Sequence, residues 1–124
     1  MKLEEFSQDN FEQASKRLVR SLTRGKTTSS QPKAILLGGQ SGAGKTTIHR
    51  IKQREFQGNI IIIDGDSYRS FHPNYLGLQE KYGKDSVDYT KVFAGQMVEY
   101  LVDELSKQGY HLLIEGTLRT TEVP

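Results

Sequence analysis

The chain alternates stretches of helical apolar spacing with short, continuous apolar runs. Phe11, Ala14, Leu18, Val19 and Leu22 recur at intervals of three, four, one and three, which predicts an amphipathic helix over residues 8–24. Ser7 or Asp9 can cap its start, and Gly25 stands where a helix ends. Its apolar stripe calls for packing against a sheet rather than for a partner outside the domain. Lys26 to Pro32 is polar and reads as a flexible linker. Ala34–Leu37 follows as a buried strand, and Thr46 to Phe56, free of Gly and Pro, as a helix. Asn59–Ile63 is a β-branched run suited to a strand covered on both faces of a parallel sheet. Phe71–Tyr75 reads as a loop, and Leu76 to Tyr82 as a short helix ended by Gly83. A longer helix starts at Asp85 or Ser86 and runs to Gln108. Tyr89, Val92, Phe93, Met97, Val98, Leu101, Val102 and Leu105 form its apolar face, and Gly109 closes it. The third strand is Tyr110–Ile114. Strands separated by helices predict an α/β fold with a parallel sheet and flanking helices.

Composition narrows the chemistry. With 124 residues there is material for about one domain, and 17 Lys+Arg against 15 Asp+Glu leave only +2. No basic field points to nucleic acid as a partner. The absence of cysteine excludes disulfides and thiolate metal sites. No apolar run resembles a signal peptide or is long enough to span a bilayer, so a cytoplasmic location without membrane partners is expected.

The candidate site begins at the first strand. Gly39-Gln40-Ser41-Gly42-Ala43-Gly44-Lys45-Thr46 reads G-x-x-x-x-G-K-T between a strand and a helix, the phosphate-binding P-loop pattern, with Thr47 following. Glycines let successive N–H groups turn inward around an anion, and the helix N-terminus favours the same charge. Lys45 reaches the β- and γ-phosphates of ATP, and the Thr46 hydroxyl coordinates Mg²⁺. The second strand ends in Asp64-Gly65-Asp66 and the third in Glu115-Gly116-Thr117-Leu118-Arg119. In a parallel sheet these ends open on the phosphate-loop edge, where ligands bind. Asp66, one step further past the strand than Asp64, is the better candidate for taking a proton from an acceptor hydroxyl. The fork of Arg119 suits phosphate or an anionic substrate. Activation of water by an NTPase is the competing use of the same loop. Glu99 flanks the apolar face of the long helix, and the pattern does not decide between a site role and solvated charge. His49, beside Arg50 and Lys52, reads as a solvated surface group without a role.

GGQSGAGKTT, IIIDGDSYR and LLIEGTLRT, in this order and spacing, resemble the zeta-toxin family of bacterial toxin–antitoxin systems over essentially the whole chain. The resemblance implies a P-loop kinase that moves the γ-phosphate of ATP to the 3′-hydroxyl of the sugar in UDP-N-acetylglucosamine, blocking cell-wall precursor synthesis. Carried over by motif, Lys45 and Thr46 serve ATP and Mg²⁺, and Asp66 is the general base. Asp66, Glu99, Glu115, Thr117 and Arg119 match positions that contact the sugar nucleotide. A small helical antitoxin that occludes the ATP site is the implied partner. Family members are roughly twice this length, in line with the strands a doubly wound sheet would still need. The chain therefore reads as the N-terminal part of one kinase domain, with a helix within 1–25 and a P-loop core portion over 34–124. It lacks the later arginines that clamp the transferring phosphate and is expected to be inactive alone. With no fourth strand, Ala34–Leu37 should form an exposed sheet edge. Two alternatives stand beside this reading. D-G-D-x-x-R after a P-loop also resembles adenylylsulfate kinase and related small-metabolite kinases, and a remnant without catalysis could still bind nucleotide or antitoxin.

Overall fold

A computed structural model describes residues 2–37 and 43–115, with only the backbone given for Ala43–Thr46. Its elements are α1 (Gln8–Thr23), β1 (Ala34–Leu37), α2 (Ala43–Glu55), β2 (Ile61–Ile63), α3 (Gly65–Tyr68), α4 (Tyr75–Tyr82), α5 (Val87–Gln108) and β3 (Leu112–Glu115). The three strands form one parallel sheet in the order β1-β3-β2. This is the α/β architecture that the alternation of patterns predicts. Among the described residues β1 has a strand on one side only, and Leu36 is 74% exposed, as an edge strand requires.

Side-chain alternation divides the sheet into two faces. Ile61, Ile63 and Leu112 join the core with Phe93, Ala94, Met97, Leu101 and Leu105 of α5 and Ala14 and Leu18 of α1. The apolar stripe of α1 is thus spent inside the domain. Leu113 and its neighbours of the same parity, His111 and Glu115, face the other way. Phe56, just past α2, packs on His111 with ring centroids 4.9 Å apart, while His49 meets Glu115 at the opposite end of the strand. These two contacts lay α2 along β3.

Several boundaries differ from the sequence reading, each for a local reason. Ser7 caps α1, exchanging bonds with Asn10 in a reciprocal box, and Asp9 lies in the first turn. β2 starts at Ile61 because Asn59 bonds the 26–32 segment instead. Its Oδ1 accepts from the Thr27 N–H at 2.8 Å, and its Nδ2 donates to the Thr27 carbonyl at 3.2 Å. A further bond from the Ser29 N–H to the Gly109 carbonyl at 2.8 Å pins the predicted linker to the body. β3 starts at Leu112, since Tyr110 still donates its N–H to the Leu105 carbonyl, 3.1 Å away, as part of the α5 C-terminal cap. Gly109 sits there at φ +98°, with its own N–H on the Leu105 and Ser106 carbonyls. A 3₁₀ turn over Gly83–Ser86 precedes α5, which therefore begins at Val87. Val92, expected on the apolar face of α5, is 60% exposed. The segment after β2 is helical, α3 followed by a 3₁₀ turn over Arg69–Phe71. α2 begins three residues earlier than expected, taking in Ala43, Gly44 and Lys45. Among the described residues no helix is long and apolar enough to cross a membrane.

Candidate functional site

The register fixes how the strand ends line up. Leu37 pairs with Glu115, and Ile63 pairs with Ile114. The three strands therefore finish within one residue of one another, at one edge of the sheet. From β1 the chain enters the glycine-rich segment and α2. From β2 it enters Asp64 and α3.

Asp64 is the N-cap of α3. Its side chain accepts from the Asp66 N–H at 3.2 Å, and its carbonyl accepts from the Ser67 N–H at 3.1 Å and the Ser67 hydroxyl at 2.7 Å. The carboxylate satisfies amides left open at a helix start. The consequence is a division of labour. Asp64 is engaged in holding the turn, and Asp66, in the first turn of α3, is exposed.

Glu115 does not follow the third strand, as the sequence reading had it, but is its last residue. Its side chain is 1% exposed and meets His49 Nε2 through Oε2. His49 is thus not a solvated surface group. It lies on α2 facing β3, one and two-thirds turns beyond the helix start. Tyr68, in α3, is a second residue that the sequence reading passed over. It is 3% exposed, and its hydroxyl approaches the Asp64 backbone N–H without reaching hydrogen-bond geometry. Burial raises its pKa well above the ordinary phenol range. The nearby Asp64 and Glu115 charges push the same way, and the Asp64 amide opposes them. Tyr68 is therefore a neutral phenol packed beneath two acidic strand ends.

The structure brings Asp64, Asp66 and Glu115 to one edge with the start of α2. Gly39, Gln40, Ser41 and Gly42 lie outside the described residues, as do Thr117 and Arg119. Ala43, Gly44, Lys45 and Thr46 form the opening of α2, and Thr47 is exposed just after them. No acidic residue occurs in the first turn of α2, so its N-terminus suits an anionic phosphate. The residue types therefore fit a Mg²⁺-bound nucleoside triphosphate, with Lys45 for phosphate and the Thr46 hydroxyl for the metal. Glu99 is exposed near the middle of α5.

Comparison with known proteins adds descent to this geometry. Residues 17–124 match the Zeta toxin family. Toxin PezT of Streptococcus pneumoniae serotype 4 is 68% identical over 124 residues, covering 100% of this chain and 49% of that protein. Toxin zeta of Streptococcus pyogenes is 42% identical over 119 residues, covering 96% of this chain and 42% of the relative. A chain from the solved PezAT chromosomal toxin–antitoxin system of Streptococcus pneumoniae superposes with a TM-score of 0.92 at 70% identity. The match covers 97% of this chain and 50% of that one. The chain spans about half the length of these relatives. A family match over most of the residues, and such identity along the full length, have one reading: the chain belongs to the Zeta toxin family.

Proposed function

We propose that the chain belongs to the toxin component of a cytoplasmic toxin–antitoxin pair. Its proposed activity is ATP-dependent phosphorylation of the 3′-hydroxyl of the sugar in UDP-N-acetylglucosamine. The observation that carries the reading is the near-level ending of three parallel strands, with an exposed Asp66 after β2 and a buried Glu115 at the end of β3 that His49 joins to α2. Lys45 binds the β/γ-phosphate oxygens, and Thr46 holds Mg²⁺, which when bound neutralises phosphate charge. Asp66 accepts the proton of the attacking hydroxyl as the new P–O bond forms, and the γ-phosphate leaves ADP. Its freedom to do so follows from Asp64 taking over the capping of α3. Glu115 accepts a hydrogen bond from the sugar nucleotide, with Glu99, Thr117 and Arg119 as its further contacts. The partner is a cognate antitoxin, in keeping with the toxin–antitoxin system from which the solved relative comes.

The test is conversion of UDP-N-acetylglucosamine with Mg·ATP, followed by mass spectrometry. It is run on residues 1–124 and on a version extended to the length of the relatives. Turnover is expected in the extended protein and not in the shorter chain, where the phosphate-clamping arginines implied by the family are missing. Loss of such an arginine costs about 10³–10⁵ in rate. In the extended protein Asp66→Asn should lower turnover by about 10²–10⁴ with ATP affinity retained. Absence of product from the extended protein would refute the substrate assignment, and a larger loss from Asp64→Asn would move the base to Asp64.

A further inference from the structure

The pair formed by His49 and Glu115 joins two parts of the site that sequence keeps 66 positions apart. Glu115 is the last residue of β3 and its side chain is 1% exposed, against 26% for His49. A carboxylate so far from solvent needs a hydrogen-bond donor to satisfy it and to hold one rotamer. Asp64 lies level with Glu115 at the end of the neighbouring strand, and Tyr68, whose phenol is kept neutral, lies close to both. His49 Nε2 donates to Oε2 whether the ring is neutral or protonated, provided the neutral ring carries its hydrogen on Nε2. The ring itself is fixed by its place on α2, which Phe56 anchors on His111 at the far end of β3. His49 thus takes its position from the helix that opens the nucleotide site and passes it to an acid of the acceptor side.

We propose that His49 is a positioning residue for the phosphoryl acceptor. It holds the Glu115 carboxylate aimed, so that Oε2 is engaged by the imidazole and the carboxylate accepts from the acceptor's hydroxyl with a fixed direction. This rests on the reading of Glu115 as a contact of the sugar nucleotide. His49 touches neither substrate. Its removal lets Glu115 turn, and a rotated carboxylate is a poorer acceptor for the sugar.

The experiment measures two affinities separately by calorimetry in the extended protein. These are Mg²⁺ with a non-hydrolysable ATP analogue, and UDP-N-acetylglucosamine. His49→Ala should weaken UDP-N-acetylglucosamine about tenfold, the worth of one charge-assisted hydrogen bond, and leave the nucleotide affinity within about twofold. His49→Gln, whose amide nitrogen reaches about where Nε2 lies, should restore most of the loss. In a Glu115→Gln background the same His49→Ala change should cost little more, because its route to the acceptor is gone. Unchanged acceptor affinity in His49→Ala, equal loss of both ligands, or full additivity with Glu115→Gln would each overturn the proposal. If the parent protein binds the ATP analogue but not UDP-N-acetylglucosamine, the functional reading fails first and this inference falls with it. That result is distinct from a parent that binds and a variant that does not respond.

Discussion

Phe93→Ala tests the packing that carries the candidate site. Phe93 is fully buried on α5, and its ring meets Phe6, His72 and Phe11 edge-on at centroid distances of 4.9, 5.3 and 5.7 Å. His72 in turn donates from Nε2 to the Glu4 carbonyl at 2.9 Å and accepts from the Asn74 N–H at 3.0 Å. One ring therefore holds the N-terminal segment, α1 and the connection that leaves α3. Truncating a buried phenylalanine costs about 3–5 kcal/mol, which already contains the lost aromatic contacts. The unfolding entropy of a chain of this size is about 0.26 kcal/mol/K, so about 4 kcal/mol corresponds to a fall of about 15 °C in Tm. Phe93→Leu, which keeps most of the volume, should cost about 1–1.5 kcal/mol, or about 5 °C. Thermal unfolding followed by circular dichroism gives both numbers, and hydrogen exchange at the Asn74 amide reports whether the His72 clamp loosens with the ring. A fall below about 4 °C for Phe93→Ala, or an Asn74 amide as protected as in the parent, would show that the ring does not organise this region.

Lys45→Ala should weaken Mg·ATP binding measured by calorimetry, through loss of the ammonium contact to the β/γ-phosphates, and equal affinities would sink the P-loop assignment. Gly109→Ala should lower Tm by about 4 °C or more, because φ is +98° and an added Cβ would stand 3.0 Å from the Ser29 carbonyl oxygen. An unchanged midpoint would mean that the α5 cap and the 26–32 segment part at no cost. Tyr68 ionises less readily folded than unfolded, so its contribution is complete below the unfolded phenol pKa of about 10 and is lost as pH rises beyond it. Tyr68→Phe should leave stability near neutral pH almost unchanged and flatten the alkaline decline. Identical alkaline slopes in parent and variant would show that Tyr68 does not govern that limb.

The shared edge of the strand ends was legible because its signals are local. A glycine-rich run between an apolar strand and a helix, and acids directly after apolar runs, declare themselves within ten residues. Among the described residues the strand order places β1 beside β3 at one edge of the sheet. What stayed hidden depends on partners distant in sequence. His49 has polar neighbours on α2, and nothing near it reveals that Glu115 lies opposite. Tyr68 reads as one more residue of a polar turn until α3 coils and buries it. The strand starts were missed for a related reason. Asn59 and Tyr110 continue the β pattern, but a side chain bonded to Thr27 and a backbone committed to the α5 cap win over local propensity.

The order β1-β3-β2 also sets a timetable for synthesis. β1 and β2 leave the ribosome first, yet neither pairs with the other, and each waits for β3. Lys33, whose N–H bonds His111 at the foot of the sheet, is 78 positions ahead of its partner. Until Glu115 has emerged there is no completed sheet edge along which the ends of β1 and β2 line up. Closing loops of that span is slow compared with the local coiling of α5, which can form beforehand and offer its apolar face to the strands. A nascent chain can thus carry every residue of its glycine-rich segment and still hold no assembled sheet edge. Of the three described strands, the last to be made is the one that joins the other two.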